Sequence, residues 1–200
     1  MGRTLRGRGA HHDERRREIA DAVLAVVADA GLAAVSLNEV AAKARVSAGR
    51  VQHYFRSKPE LIGAAFERGN ALAAARIRDV VGEQDLDAAD PRAVLTTVLT
   101  QLLPHDDATR AHMRVRQFFN AQALADPVIA DQIRDRYDAF HRDLADLVAR
   151  IDPSMADRAE QTAVRLAALT EGLAYYVLID ACSTTAARDL LLAELANLLD

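Results

Sequence analysis

Apolar residues recur at spacings of three and four along most of the chain, which is the period of a helix with one buried face. The stripe from Ile19 to Val27 is one example, and Gly31 follows it as a helix stop. We therefore predict a first helix from His12 to Ala30.

Three Asp-Pro pairs divide the second half of the chain. Aspartate is a favoured N-cap and proline is favoured at the first helical position, so each pair marks a helix start. They are Asp90-Pro91, Asp126-Pro127 and Asp152-Pro153. Ser57 caps a helix over 58–81, Pro104 ends the segment opened by Pro91, and Asp106-Asp107 opens the next. These signals predict helices over 58–81, 91–103, 107–124, 127–150 and 153–180, and a last one capped by Ser183, Thr184 or Thr185 and ending near Leu199.

The stretch from Ser36 to Phe55 predicts two short helices with a tight corner between them. Ser36 and Glu39 have the spacing of a capping box, and a second start signal comes at Ser47. A helix end, a turn and a new helix start thus fall within residues 44–50. This spacing is typical of a helix-turn-helix, whose second helix can lie in the major groove of DNA. Together the elements predict an all-α fold of about nine helices.

The segment Val46–Ile62, V-S-A-G-R-V-Q-H-Y-F-R-S-K-P-E-L-I, resembles the signature of TetR-family transcriptional regulators. In that family the pattern is V-S-x-G-x-hydrophobic-Y-x-[HY]-F-x-x-K-x-x-L-hydrophobic. The chain departs from this pattern at Gln52, where an aromatic residue is usual, and from the family's usual residues at Pro59, where a carboxylate is common. The Gly- and Arg-rich composition of residues 1–11 predicts a flexible basic arm. The resemblance implies a three-helix DNA-binding domain at 12–57 and a helical ligand-binding and dimerisation domain at 58–200.

Arg50 is the predicted base-reading side chain, because it lies one turn into the second helix and arginine can bind guanine bidentately. Polar residues around it are expected to contact phosphates. The arginines of the N-terminal arm suit a minor groove or phosphates, with a solvated tail as the alternative. The full predicted DNA-binding set is Arg3, Arg6, Arg8, Ser36, Arg45, Ser47, Ala48, Gly49, Arg50, Gln52, His53, Tyr54 and Lys58.

The net charge of −4 hides an asymmetry between the two parts of the chain. Residues 1–60 carry a net charge of +4 and residues 61–200 a net charge of −8. A basic front end suggests that only the first domain meets a polyanion, although arginine-rich segments can also be solvated faces.

No hydrophobic run approaches the ~20 residues that span a bilayer. The single cysteine, Cys182, suits a reducing compartment, so we predict a cytoplasmic protein without a membrane partner.

The chain lacks the motifs of enzyme chemistry. Its six histidines show no H-x-x-x-H or H-E-x-x-H spacing, and one cysteine cannot build a thiolate metal site. There is no G-x-S-x-G, no Walker loop, and no G-x-G-x-x-G after a strand. We therefore expect no catalytic residues, no metal and no cofactor.

Apolar segments with a few polar groups in the C-terminal part suit a small-molecule cavity. The predicted pocket set is Met113, Arg116, Gln117, Phe118, Asn120, Tyr137, Phe140, His141, Thr170, Glu171 and Tyr175. Each aromatic residue could instead be part of the core. Glu171 lies in an otherwise apolar stretch, and a buried carboxylate needs a partner, for which Arg114, Arg116 and Tyr137 are candidates. The alternative is that Glu171 selects a cationic or amine-bearing effector.

The last two predicted helices are rich in Ala and Leu, which suits either the protein's own core or a four-helix contact with a second copy. The resemblance favours the dimer. Its predicted interface comprises Leu166, Leu169, Gly172, Leu173, Tyr176, Val177, Leu191, Leu195 and Leu198.

The leading hypothesis is a TetR-like homodimeric repressor that leaves a palindromic operator when it binds an unknown small molecule. One alternative is a helical small-molecule-binding protein or enzyme with a vestigial helix-turn-helix. Another is a module that docks a partner through its terminal helices.

Overall fold

The computed structural model describes residues 5–81 and 89–199, with the side chains of 11–80 and 89–199. Within these ranges the fold is all-α, as predicted, with nine α-helices and two short 3-10 helices, Leu32–Ala34 and Pro153–Arg158. The α-helices are α1 (Leu5–Ala30), α2 (Leu37–Ala44), α3 (Ala48–Tyr54), α4 (Lys58–Val81), α5 (Pro91–Gln101), α6 (Asp107–Ala123), α7 (Pro127–Ile151), α8 (Ala159–Leu178) and α9 (Thr184–Leu199).

The three Asp-Pro pairs begin helices as predicted, because each carboxylate accepts a hydrogen bond from a backbone N–H of the first turn. Asp90 accepts from the N–H of Arg92 at 3.2 Å. Asp126 accepts from that of Val128 and Asp152 from that of Ser154, each at 2.9 Å. The third pair opens a 3-10 turn, so α8 begins at Ala159 and not at the predicted Pro153. Ser183 is the cap of α9, since its hydroxyl accepts from the N–H of Ala186 at 3.1 Å.

The first helix begins at Leu5, seven residues before the predicted His12. The stretch 5–11 therefore has helical backbone, and its role as a basic arm stays a prediction. Glycine lowers helix propensity without excluding the helical conformation, so Gly7 and Gly9 do not end the helix. Residues 1–4 lie outside the described part of the chain.

The N-terminal compact unit extends to Ala71 and also includes Arg110–Phe119 of α6. In it, α1 packs on α2 and α2 on α3. The side chains of Ile19, Val23, Val27, Val51 and Phe55 are fully buried. Leu61 and Ile62 in the first half of α4 are also fully buried, and this compact unit continues past Lys58 into α4.

The C-terminal compact unit comprises Leu72–Thr109 and the residues from Asn120 onward. Here α7 packs against α8 and α5, and α8 packs against α9. Its core is built from leucine, valine and alanine, and includes Leu144, Val148, Leu166, Val177 and Leu191.

Candidate nucleic-acid interface and ligand site

Two serine caps form the corner between α2 and α3. The hydroxyl of Ser36 accepts from the N–H of Glu39 and that of Ser47 from the N–H of Arg50, each at 3.2 Å. Each cap satisfies one of the donors that a helix N-terminus leaves without a partner. The caps therefore fix where both helices begin, as the sequence predicted.

The chain reverses between the two helices at Arg45, which has left-handed backbone angles of φ 55° and ψ 44°. The N–H of Arg45 bonds to the carbonyl of Ala42 at 3.2 Å, and the N–H of Val46 bonds to that of Ala41 at 3.0 Å. These two bonds form a Schellman motif, in which glycine is the usual left-handed residue. The side chain of Arg45 is exposed.

One side of α3 is buried and the rest of it faces outward. Val51 is fully buried, whereas Gly49, Arg50, Gln52 and His53 are exposed. A Cβ built on Gly49 would meet no atom of the described residues within 4 Å. Packing inside the described chain therefore does not require glycine at this position, which leaves room for an external surface to approach the start of α3.

The C-terminal end of α3 is held by Arg16 of α1, a contact that the sequence analysis missed. Arg16 donates from Nη1 to the backbone oxygen of Tyr54 at 2.6 Å, and its guanidinium carbon lies 4.2 Å from the ring centroid of Phe55. It also lies 3.6 Å from a carboxylate oxygen of Glu60. Cation–π and charge-assisted contacts of this kind stabilise a small domain. The hydrogen-bonded partner is 38 residues away in sequence, so no local pattern marks Arg16.

The predicted DNA-binding residues that the structure describes lie on or beside α3. Their exposed members are Ser36, Arg45, Ser47, Gly49, Arg50, Gln52, His53 and Lys58, while Ala48 and Tyr54 are half-buried. The ring of Tyr54 packs 5.1 Å from that of His53 and 4.9 Å from that of His12. Arg3 and the side chains of Arg6 and Arg8 lie outside the described residues.

Several of the predicted pocket residues form one cluster in the C-terminal unit. The hydroxyl of Tyr137 donates to Oε2 of half-buried Glu171 at 2.6 Å, and Nδ2 of Asn120 lies 3.5 Å from that hydroxyl. The ring of His141 stacks with that of Tyr137, with centroids 5.8 Å apart, and lies 6.4 Å from that of Phe140. Tyr137 is thus one partner of Glu171, as the sequence suggested.

The other predicted pocket residues do not belong to this cluster. Met113, Arg116, Gln117 and Phe118 are part of the N-terminal unit. The buried hydroxyl of Thr170 donates to the carbonyl of Leu166 in its own helix at 2.8 Å, which satisfies it locally. The apolar stretch around Glu171 is partly exposed, since Val164 and Tyr175 retain 42% and 47% of their accessible area.

A cleft of about 520 Å³ opens between α4, α5 and α7 in the C-terminal unit. Apolar side chains line it, among them Ile77, Val98 and Leu144, together with Phe140 from the cluster. Exposed charged residues on α4 and α7 also line it: Arg78, Asp143, Asp146 and Arg150. Phe140 is the member of this lining that the sequence predicted; the others were not predictable, because residues from three separate helices meet here.

Comparisons with known proteins agree with this architecture. The sequence profile described as "Bacterial regulatory proteins, tetR family" matches residues 19–65, and that described as "BetI-type transcriptional repressor, C-terminal" matches residues 91–200. The HTH-type transcriptional regulator BetI of Burkholderia mallei is 31% identical over 160 residues, which is 80% of this chain and 79% of BetI. The chain belongs to the TetR family.

Solved structures of TetR-like proteins share the fold. A transcriptional regulator from Rhodococcus sp. Rha1 has a TM-score of 0.73 at 27% identity, over 90% of this chain and 94% of that one. The multidrug binding protein EbrR, solved in complex with imidazole, has a TM-score of 0.59 at 27% identity, over 91% and 89% of the two chains. This TetR-family chain is therefore a DNA-binding transcriptional regulator, in agreement with the helix-turn-helix geometry of α2 and α3.

The surface of this TetR-family protein on α8 corrects the predicted dimer interface. Leu166, Leu173, Val177, Leu191 and Leu195 are buried within the chain itself, so they are not available for contact with a second copy. Leu169 and Leu198 are half-buried, and only Gly172 and Tyr176 of the predicted set are exposed. A neighbouring face is apolar and exposed instead, comprising Val164, Ala168, Gly172, Tyr175, Tyr176 and Ile179 of α8 and Leu190 of α9.

The described part of this TetR-family chain has no cluster of three His, Cys, Asp or Glu side chains that could hold a metal ion. Among the helices in the same residues, none combines the length and apolar character needed to cross a bilayer.

Proposed function

We propose that this TetR-family regulator is a cytoplasmic homodimeric repressor that binds a palindromic operator and is released by a small molecule. The observation that carries the proposal is α3, whose start is capped by Ser47 and whose exposed side lies opposite the buried Val51. The C-terminal part resembles a transcriptional repressor profile, which supports repression.

In this proposal Arg50 reads a base, and polar residues around it position the domain. Arg50 is exposed in the first turn of α3, and arginine can bind O6 and N7 of guanine together. The residues that contact phosphates are Ser47, His53, Tyr54 and Lys58. Arg45, in the turn between α2 and α3, contacts the sugar-phosphate backbone of the DNA. The open space at Gly49 lets the helix approach DNA closely.

The second copy docks on the exposed apolar face of α8 and α9 defined above. Tyr176, Ile179 and Leu190 each keep more than half of their accessible area in the single chain. Burial of these side chains against their copies removes apolar area from water, which favours association. Small residues at 168 and 172 allow close approach of a second helix.

The proposed effector site comprises the Tyr137–Glu171 cluster and the adjoining cleft, which share Phe140. A half-buried carboxylate beside aromatic rings favours a small organic cation or amine. The complex of the related protein EbrR with imidazole supports a small nitrogen-containing ligand.

Selection of duplexes from a random pool by the purified protein tests the proposed DNA binding. We expect a palindromic duplex whose affinity falls steeply with salt. Arg50→Ala should cost about 1–3 kcal/mol and relax preference at one base pair. Lys58→Ala should weaken all duplexes alike and lower the salt slope by about one unit.

Lys43→Ala is the matched control for Lys58→Ala, because the Lys43 ammonium already pairs with Asp29. Its effect on the salt slope should be smaller than that of Lys58→Ala. A wild-type protein that enriches no duplex sequence would exclude the proposed operator binding.

The effector assignment is tested with Glu171→Gln, using tetramethylammonium and imidazole as probes. If Glu171 contacts the effector, the variant should melt near the wild-type temperature and lose the probe's effect on DNA binding. If its bond to Tyr137 is structural, stability should fall while DNA release is retained. Tyr137→Phe removes the same hydrogen bond and keeps the carboxylate, so it distinguishes loss of the bond from loss of the charge.

A further inference from the structure

The middle of α6 belongs to the N-terminal unit, although it lies far beyond the helix-turn-helix in sequence. Residues Arg110–Phe119 group with the DNA-binding helices, whereas the sequence profile of the C-terminal domain begins at residue 91. The DNA-binding unit of this chain is therefore larger than the segment that the N-terminal profile matches, 19–65.

His112 of α6 lies directly on the backbone of α4 at Gly69. A Cβ built on Gly69 would fall 2.1 Å from Cδ2, 2.6 Å from Cγ and 2.7 Å from Nε2 of the imidazole. Atoms do not approach so closely, so any side chain at position 69 would displace the ring. His112 is 6% exposed, and its Nε2 lies 3.1 Å from Oδ1 of Asn70, a hydrogen bond in the tautomer that carries the proton on Nε2.

A second contact holds the same two helices together nearer the helix-turn-helix. The ring of Phe119 stacks on that of Phe66, with centroids 4.9 Å apart and planes at 1°. Its edge would lie 3.6 Å from a Cβ on Gly63, which is ordinary van der Waals distance. Any side chain at position 69 would therefore have to displace the imidazole, whereas alanine fits at position 63.

The α4 side of this contact is tied to the DNA-binding helices. Arg68, next to Gly69, donates to both carboxylate oxygens of Asp21 in α1, from Nε at 2.6 Å and from Nη2 at 3.1 Å. Such bidentate pairs fix geometry as well as adding energy. The imidazole of His112 thus packs one residue away from a rigid link to α1.

We infer that His112, through its packing on Gly69, is a positioning residue for DNA binding. Two recognition helices must meet major-groove sites about one duplex turn apart. Any movement of the helices that hold them must be lost on binding, and that loss of conformational entropy lowers the affinity. A fixed register between α4 and α6 removes that freedom beforehand. Both helices also continue into the C-terminal unit, α4 after Ala71 and α6 after Phe119. The inference rests on the proposed DNA binding.

The test measures affinity for the duplex that the wild-type protein selects, at a temperature where circular dichroism shows every variant folded. His112→Ala should bind about tenfold more weakly, because α6 loses its fixed position on α4. Gly69→Ala should lose at least as much affinity. Gly63→Ala, the same change on the same helix, should stay within twofold of the wild type.

The double variant Gly69→Ala/His112→Ala separates steric conflict from positioning. Removal of the ring should restore part of the melting temperature lost in Gly69→Ala, while affinity stays below that of the wild type. Affinities of His112→Ala and Gly69→Ala within twofold of the wild type, whatever their melting temperatures, would overturn the inference. Should Gly69→Ala not fold, His112→Ala decides, since it only removes atoms. Failure of the wild type to select any duplex would instead refute the proposed function.

Discussion

Arg45 holds a backbone conformation that glycine adopts at lower cost. An L-residue in the left-handed region loses about 1–2 kcal/mol relative to the right-handed one. Here that cost falls in the corner of the helix-turn-helix, on an exposed arginine beside α3. Strained residues cluster at functional sites, and a phosphate contact would account for arginine at this position.

Arg45→Gly should separate stability from DNA binding. Relief of the left-handed strain is offset by the greater freedom of glycine in the unfolded chain, about 0.4–1 kcal/mol. We therefore expect the free energy of unfolding to stay equal or rise by up to about 1.6 kcal/mol. DNA affinity should fall, and the salt slope should decrease by about one unit. Urea unfolding and salt-dependent binding measure the two effects.

Arg45→Lys is the control, because it keeps both the charge and the strain. It should retain most of the DNA affinity with unchanged stability. Equal DNA affinity for Arg45→Gly and the wild type would remove Arg45 from the interface.

At this scale, local signals could be predicted from the sequence and distant partners could not. Ser36 and Ser47 cap as expected because a cap bonds within three residues of itself. Arg16 and Gly69 depend on partners 38 and 43 residues away, and no local spacing encodes them. Most of the predicted interface leucines are buried within the single chain, because periodicity indicates an apolar stripe without indicating what covers it.

Among the elements, α6 has the most complete N-terminal cap. Asp106 accepts from the N–H of Thr109 at 2.7 Å, and the Thr109 hydroxyl in turn accepts from the N–H of Asp106 at 3.0 Å. Burial raises the pKa of Asp106, but the hydrogen bonds from Thr109 and the charges of His105 and Arg76 lower it by more, so that it lies below its usual 3.8. The cap thus favours the ionised carboxylate.

Asp106→Ala should destabilise the protein by about 1 kcal/mol at neutral pH, the usual cost of losing such a cap. Because the folded-state pKa is depressed, the contribution of Asp106 is fully present above pH 3.8 and is lost as pH falls through the folded-state pKa. The difference in unfolding free energy between wild type and variant should therefore shrink in acid. Denaturant unfolding between pH 7 and the acid limit of folding measures it.

Asp107→Ala is the control, since it removes the neighbouring carboxylate and leaves the cap in place. Its cost at neutral pH should be smaller than that of Asp106→Ala. A cost for Asp106→Ala that stays constant through the acid range would contradict the assignment of the cap to the ionised form.

Helix positions were predictable wherever a start signal stands beside a periodic stripe. The bounds of α4 match the predicted 58–81, and Pro91 and Pro127 begin α5 and α7. At Pro153 the same signal opens a 3-10 turn, because the cap fixes where the chain becomes helical and does not select the hydrogen-bond pattern that follows. The segment Arg110–Phe119 of α6 belongs to the N-terminal unit because of its packing alone, so the sequence pattern could not reveal this grouping.

On the scale of the whole molecule, positive charge and exposed apolar surface lie in different parts of the chain. The first 60 residues carry the positive charge that a DNA backbone attracts, and the remaining 140 are acidic. The exposed apolar face of α8 and α9 belongs to that acidic part, which suits contact with a second copy and not with a polyanion.

Gly172→Arg tests this division. Gly172 lies in the middle of the exposed face, and a Cβ built there meets no atom of the described residues within 4 Å, so the single chain can accept a side chain. In a dimer the arginine would place an unpaired charge between two apolar faces, at a cost of about 3 kcal/mol or more, which corresponds to roughly 100-fold weaker dimerisation. Sedimentation velocity should show monomers, and the melting profile at low concentration should be unchanged. Binding to the palindromic duplex should weaken.

Gly172→Ala adds only a methyl group on the same face and should remain dimeric. A wild-type protein that sediments as a monomer at micromolar concentration, or a Gly172→Arg variant that remains dimeric, would mean that the second copy does not dock on this face.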